Sequence, residues 1–148
     1  MMAVNIREML AIDAVEVSAL LPDLGYAANP GQIAQRFSQL MTRPDNVCFV
    51  ALYEDKIVGW LHAHGVRLLE SDGYVDIGGL VVAAQYQRNG CGRRLIRAAE
   101  QWAGNHGYSR VRLRSGVHRE DAHVFYEALG YKKSKASYAF ETHVETQC

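Results

Sequence analysis

The segment Leu80-Val81-Val82-Ala83-Ala84-Gln85-Tyr86-Gln87-Arg88-Asn89-Gly90-Cys91-Gly92-Arg93-Arg94-Leu95 holds the residue types and spacing best suited to an anion. An apolar, strand-like run passes through a polar turn into a helix-like pattern. Gly90 and Gly92 lack side chains where a helix would begin, so unpaired N–H groups and the positive end of the helix dipole can meet a phosphate directly. Arg88, Arg93 and Arg94 add charge around that point. A Walker loop needs Gly-Lys-Ser/Thr where this chain reads Gly92-Arg93-Arg94, and a Rossmann fingerprint needs three spaced glycines near the chain's beginning. Neither fits. The bland alternative is a glycine-rich turn that closes a strand-helix junction.

Other residues could take part in chemistry. Gly78-Gly79 interrupts an apolar run, and paired glycines there mark a bulge or a close backbone approach. His62 and His64 share parity on one strand, which offers either two ligands or a polar sheet face; without a third ligand the polar face is the better reading. Tyr126 falls in a helical stripe with Ala122, Phe125 and Leu129, where core packing alone would account for it. Cys91 stands at a helix start, a position that lowers a thiol pKa. The cysteines Cys48, Cys91 and Cys148 show no CxxC or Cys/His metal spacing, so neither disulfides nor a metal site is expected, and a reducing, cytoplasmic setting is.

The elements that must position these residues follow from periodicity. A strand is expected over 3–8, a helix from Asp13 to Leu21 stopped by Pro22, and a helix opened by Asn29-Pro30 that carries Ile33, Phe37, Leu40 and Met41 on one face and ends at Pro44. The runs 47–53 and 57–66, joined by Glu54-Asp55-Lys56, read as an antiparallel hairpin, and 74–82 as the strand carrying Gly78-Gly79. A helix over 90–106 buries Leu95, Ala98, Ala99 and Trp102, and Arg110-Val111-Arg112-Leu113-Arg114 alternates as a strand covered on one face. A last helix spans 119–129, ends at Gly130, and gives way to a strand over 131–141, with a frayed tail over 142–148.

Size and composition fit one domain over 1–148, with 49% hydrophobic and 22% charged residues. No apolar run approaches the roughly 20 residues of a membrane helix, and the N-terminus lacks a secretory apolar segment. No membrane partner is expected. Net charge is zero but unevenly spread: residues 1–85 hold five Lys/Arg against ten Asp/Glu, and residues 86–119 hold eight Arg against Glu100 alone. An arginine-rich stretch inside a neutral chain suits a local anionic ligand. Nucleic-acid binding through Arg110, Arg112 and Arg114 is ranked last, because neutrality and the lack of interleaved aromatic residues oppose it.

Gln87-Arg88-Asn89-Gly90-Cys91-Gly92 resembles the Q/R-x-x-G-x-G/A motif of the GNAT superfamily of acetyl-CoA-dependent N-acetyltransferases. Ala122-His123-Val124-Phe125-Tyr126-Glu127-Ala128-Leu129-Gly130-Tyr131 resembles that family's A-x-x-F-Y-x-x-x-G-F/Y segment, on a helix in both cases. The resemblance implies an α/β domain with a mixed, mostly antiparallel sheet, splayed at the centre and flanked by helices. It implies that Gly78-Gly79 marks the splay and that the backbone of Leu80, Val81 and Val82 pairs with the pantetheine arm, one N–H polarising the thioester. The pyrophosphate would rest on Gln87, Arg88, Asn89, Gly90, Cys91 and Gly92 with Arg93, Cys91 serving through its backbone. Ser115 would touch the cofactor arm, and Tyr126 would protonate the leaving thiolate.

Two departures bear on mechanism. Many members place a Glu just before the Leu80 equivalent to deprotonate the incoming ammonium, whereas this chain has Gly79. Asp76 is the preferred base, with His64 and Glu70 as alternatives. Many members also have Asn where this chain has Arg119; Arg119 with His123 resembles a pattern shared with aminoalkylphosphonate N-acetyltransferases among others. The expected reaction is direct acetyl transfer to a primary amine of a small molecule or peptide, with a non-catalytic acyl-CoA sensor of the same fold as the alternative. The acceptor is expected against the two N-terminal helices and the turn near Glu70-Ser71-Asp72, in the acidic half of the chain. A homodimer that covers the edge of the last strand is also expected.

Overall fold

The computed structural model describes residues 3–24 and 28–147. The chain forms two compact units, Met1–Arg114 and Ser115–Cys148.

The first unit is built on a five-stranded sheet with strand order β1-β2-β3-β4-β5. Its elements are β1 (Asn5–Glu8), α1 (Ala14–Leu20), α2 (Pro30–Met41), β2 (Asn46–Tyr53), β3 (Lys56–Val66), β4 (Tyr74–Val82), α3 (Cys91–Asn105) and β5 (Val111–Leu113). Neighbouring strands from β1 to β4 run antiparallel, and β5 lies parallel to β4. This is the mixed, mostly antiparallel sheet expected from the sequence. Glu54 and Asp55 form the β2–β3 turn with φ of 51° and 64°, the left-handed pair that a tight two-residue hairpin requires.

Local chemistry sets the helix boundaries. Asn29 Oδ1 accepts from Gln32 N–H at 2.8 Å while Gln32 Oε1 accepts from Asn29 N–H at 3.0 Å, and Pro30 supplies the preset φ of a first turn. Asp13 precedes α1 but its carboxylate makes no bond to that helix. It accepts instead from Leu10 N–H at 2.7 Å and, through both oxygens, from the Arg7 guanidinium at 2.7 and 3.0 Å.

Each face of the sheet has its own cover. Val17 and Leu20 of α1 and Ile33, Phe37 and Leu40 of α2 pack with Cys48, Val50, Ile57 and Trp60 on one face. On the other lies α3, whose Leu95, Ile96 and Ala99 are fully buried. Gly59 permits that approach: a Cβ there would sit 3.3 Å from Cys91 Sγ and 3.4 Å from Leu95 Cδ1. Among the described residues no helix is long and apolar enough to cross a membrane.

The second unit contains α4 (Glu120–Ala128), which ends at Leu129 and Gly130. The strand expected over 131–141 is absent, and residues 132–147 are exposed and without regular structure. Lys132-Lys133-Ser134-Lys135 leaves that segment no continuous apolar face to bury, and a strand forms only against a partner.

Candidate active site

The candidate site begins where β4 loses its neighbour. β4 pairs with β5 only through Val75, Asp76 and Ile77, so among the described strands residues 78–82 have β3 on one side and no partner on the other. At the same point the β3–β4 register shifts: His62 opposes Gly79 and Ala63 opposes Ile77, so Gly78 is the extra residue of a bulge. A bulge kinks its strand and strengthens local twist. The bulge expected at Gly78-Gly79 is therefore present, and the backbone of Leu80, Val81 and Val82 leads from it with one edge unpaired among the described strands.

The strand then enters the glycine loop. Gln87 Nε2 donates to Val82 O at 3.0 Å and Asn89 Nδ2 to Gln87 O at 3.1 Å, folding the loop back on the strand end. Arg88 holds φ of 65° and Gly90 φ of 83°, two left-handed residues within three positions. Gly90 is the N-cap of α3 and has no side chain to bond the first-turn N–H groups. Those groups, which no helix can satisfy internally, face outward together with the dipole. The exposed Arg88, Arg93 and Arg94 surround this end of the helix.

Cys91 corrects an expectation. Its side chain is buried against Gly59 and Leu95, and burial pushes the thiol up to about 11, Arg94 opposing the shift in part. The helix start does not lower it, because the sulfur points into the core and away from the open amides. Only the backbone of Cys91 can serve a ligand.

On the face covered by α1 and α2, the strand register assembles a polar row that crosses four strands. Asn46 opposes His64, His64 opposes Asp76, and Asp76 opposes Arg112. Directly opposed residues share a face. His62 stacks on His64 with ring centroids 5.6 Å apart, and its Nε2 lies 2.9 Å from Asn46 Oδ1. His64 Nδ1 is buried without a hydrogen-bond partner among the described residues. Glu70, the other carboxylate considered as a base, lies in the exposed β3–β4 connection.

Gly79 has a physical explanation in Trp60. A Cβ at Gly79 would lie 2.8 Å from Trp60 Cη2, so the indole fills the space that a carboxylate side chain would need. Sequence reasoning missed both Trp60 and Asn46, since neither belongs to a motif and only cross-strand register brings them to the bulge.

Ser115 and Tyr126 belong to the second unit. Ser115 Oγ is buried without a hydrogen-bond partner among the described residues. Tyr126 packs against Phe125 and Tyr131, with ring centroids at 5.3 and 6.5 Å. Burial raises its phenol above the ordinary value and Arg119 pulls it back in part. The stripe expected on α4 is only partly covered: Ala122, Tyr126 and Leu129 are half-buried and Phe125 is exposed.

A sequence model of the acetyltransferase (GNAT) family matches residues 14–131. The chain belongs to the GNAT acetyltransferase family. Human N-acetyltransferase 8 is 34% identical over 95 residues, which make up 62% of this GNAT chain and 41% of that protein. The chain thus spans less than half the length of the curated relatives it matches. A structure described as a transcriptional regulator from Bacillus halodurans C-125 superposes with a TM-score of 0.85 at 26% identity, covering 95% of this chain and all of that one. An aminoglycoside 6'-N-acetyltransferase solved with a bisubstrate analogue of CoA and acetylneamine superposes with a TM-score of 0.84 at 16% identity, covering 96% and 99%. At that identity the second likeness speaks for the fold alone. In this GNAT chain the matched residues include β4, the glycine loop and α4.

Proposed function

We propose that residues 1–148 act as one N-acetyltransferase domain that moves the acetyl group of acetyl-CoA to a primary amine of a small molecule or peptide. The observation that carries this reading is the open edge of β4 after Ile77 running directly into a helix whose N-cap is Gly90. The backbone of Leu80, Val81 and Val82 offers extended amide groups to the pantetheine arm. The amides of Gln87, Arg88, Asn89, Gly90, Cys91 and Gly92, with Arg93, suit a pyrophosphate. Acetyl-CoA supplies an acetyl group already activated as a thioester.

This chain's residues would act in four ways. A β4 amide donates to the developing oxyanion. A base on the polar row removes the ammonium proton; Asp76 is the carboxylate of that row. Tyr126, kept protonated by burial, gives its proton to the leaving sulfur. Ser115 contacts the cofactor arm. The net charge of residues 1–85, five basic against ten acidic, favours an amine that is cationic before reaction. The curated human relative is an N-acetyltransferase by name, which supports acetyl transfer to nitrogen.

Titration calorimetry with acetyl-CoA, CoA and ATP tests the site. The expected result is binding of both CoA species but not ATP, lost in Gly90→Glu and kept in Tyr126→Phe. Absence of heat from either CoA species would overturn the reading. The regulator from Bacillus halodurans favours a second reading, an acyl-CoA sensor without turnover; it predicts the same binding and no acetylated product on an amine panel. A cytoplasmic setting is part of the proposal, supported by the buried free thiols of Cys48 and Cys91. So is a homodimer, supported by Tyr138 and Phe140, which are 90% and 95% exposed.

A further inference from the structure

The polar row contains a better-placed base than its carboxylate, and the identification rests on the acetyl-transfer reading above. The Asn46 amide oxygen only accepts hydrogen bonds, so His62 Nε2, at 2.9 Å, must be the protonated nitrogen. The lone pair is then on Nδ1. A Cβ built at Gly78 would lie 3.4 Å from that Nδ1, the nearest side-chain atom to it. Gly78 is the exposed bulge residue, and the absence of its side chain leaves the space above Nδ1 open at the place where β4 parts from β5.

We infer that His62 is the general base for the acceptor amine, held in its Nε2–H tautomer by Asn46 so that Nδ1 faces the substrate beside the Gly78 bulge. Trp60 blocks a carboxylate at Gly79, and His62 opposes Gly79 across the sheet, so the imidazole reaches from β3 toward the region that a β4 carboxylate would otherwise serve.

The environment keeps this imidazole neutral. Burial lowers its pKa, His64 lowers it further, and Asp76 raises it in part. Cys48 faces it from β2 and stays a thiol, since burial pushes it up to about 12. Val17, Leu20, Ile33, Phe37 and Leu40 of α1 and α2 pack on this face; of the polar groups on α1, Ser18 is buried and donates to Val15 O, and Glu16 accepts from Ile57 N–H at 2.9 Å, five residues along β3 from His62. A neutral imidazole below its ordinary pKa accepts a proton without first having to lose one.

The ammonium gives one proton to Nδ1, and the freed lone pair forms the N–C bond as the carbonyl electrons move to oxygen. When they return, the C–S bond breaks and the sulfur leaves with its electron pair. The sulfur takes the Tyr126 proton, the second nitrogen-borne proton passes through solvent to restore the Tyr126 phenol, and His62 releases its proton to solvent.

The test uses the full chain with kanamycin, spermidine and L-aspartate as probe amines. Wild type should show an acid limb in kcat/KM with a midpoint below the ordinary imidazole value. His62→Gln should lower kcat by roughly 10²-fold or more and abolish the limb, with acetyl-CoA affinity unchanged. Asp76→Asn should keep the limb and move it to lower pH, because Asp76 raises the His62 pKa. A limb that survives His62→Gln and disappears in Asp76→Asn would overturn the inference and leave acetyl transfer intact. Failure of wild type to acetylate any probe while it binds acetyl-CoA would count against the enzymatic reading itself. Independently of turnover and of the variants, long-range ¹H–¹⁵N spectra of wild type should show neutral His62 protonated on Nε2; protonation on Nδ1 would refute the assignment.

Discussion

Single side chains decide what this site can do, and their environments give testable numbers. The Trp60 ring over Gly79 predicts that Gly79→Glu restores no base and instead overpacks the sheet, at a cost of about 1–3 kcal/mol. Thermal melting should show a fall of roughly 2–4 °C per kcal/mol, partly recovered by adding Trp60→Leu. Asp13 makes a second case. Its hydrogen bonds from Arg7 hold its carboxyl below the ordinary value, burial opposing them. A depressed folded pKa contributes stability that is present above the unfolded value and lost as pH falls through the folded one. Asp13→Asn should therefore cost about 1–3 kcal/mol near neutral pH, with the gap closing below about pH 4; urea unfolding at both pH values checks it. The raised thiols of Cys48 and Cys91 predict that a Cys148→Ser variant takes up no thiol reagent at about pH 8 while folded. Rapid labelling of the native variant would contradict the burial of both.

At the scale of elements, the site depends on two interruptions of regular structure, a bulge in β4 and a left-handed entry to α3. Both were legible in the sequence because glycine marks such places: Gly78-Gly79 reads as a bulge and Gly90 as the close approach before a helix. The left-handed φ of Arg88 was not legible, since arginine does not announce it, and it follows from the loop's need to fold Gln87 back onto Val82. The start of α2 was readable from Asn29-Pro30, while the returning bond from Gln32 was found only in the structure. Asn29→Ala should cost about 1 kcal/mol, measured by urea unfolding, and should leave acetyl-CoA affinity unchanged because α2 lies on the far side of the sheet from α3. Asp13 stands at the N-cap position of α1, where its residue type suits a cap, but its side chain makes no capping bond. Its carboxylate has a stronger claimant in Arg7, six residues earlier, and local pattern does not weigh a charged partner reached through a turn.

On the scale of the whole molecule, the exposed aromatic residues of the C-terminal segment carry the homodimer prediction. Tyr138→Ser with Phe140→Ser should leave the fold intact and convert a dimer to monomer in sedimentation velocity; a wild type that sediments as a monomer would end that reading. The strand expected over 131–141 does not form: it pairs with none of the described strands, and its lysines leave no continuous apolar face to bury. The sequence by itself determined the element order as far as α4, the bulge, the glycine-capped helix and the family motifs, because each is written in neighbouring residues through helical period, strand alternation and the freedom of glycine. Only the tertiary structure decided which groups meet at the bulge. Asn46, Trp60, His62, His64 and Asp76 come from three strands, and their meeting depends on cross-strand register, which hydrogen bonding over many residues fixes and no local spacing records. That same register turned Nδ1 of His62 toward Gly78, and the packing of α3 on Gly59 turned Cys91 into the core, so the chemistry left open by the motif was settled by packing.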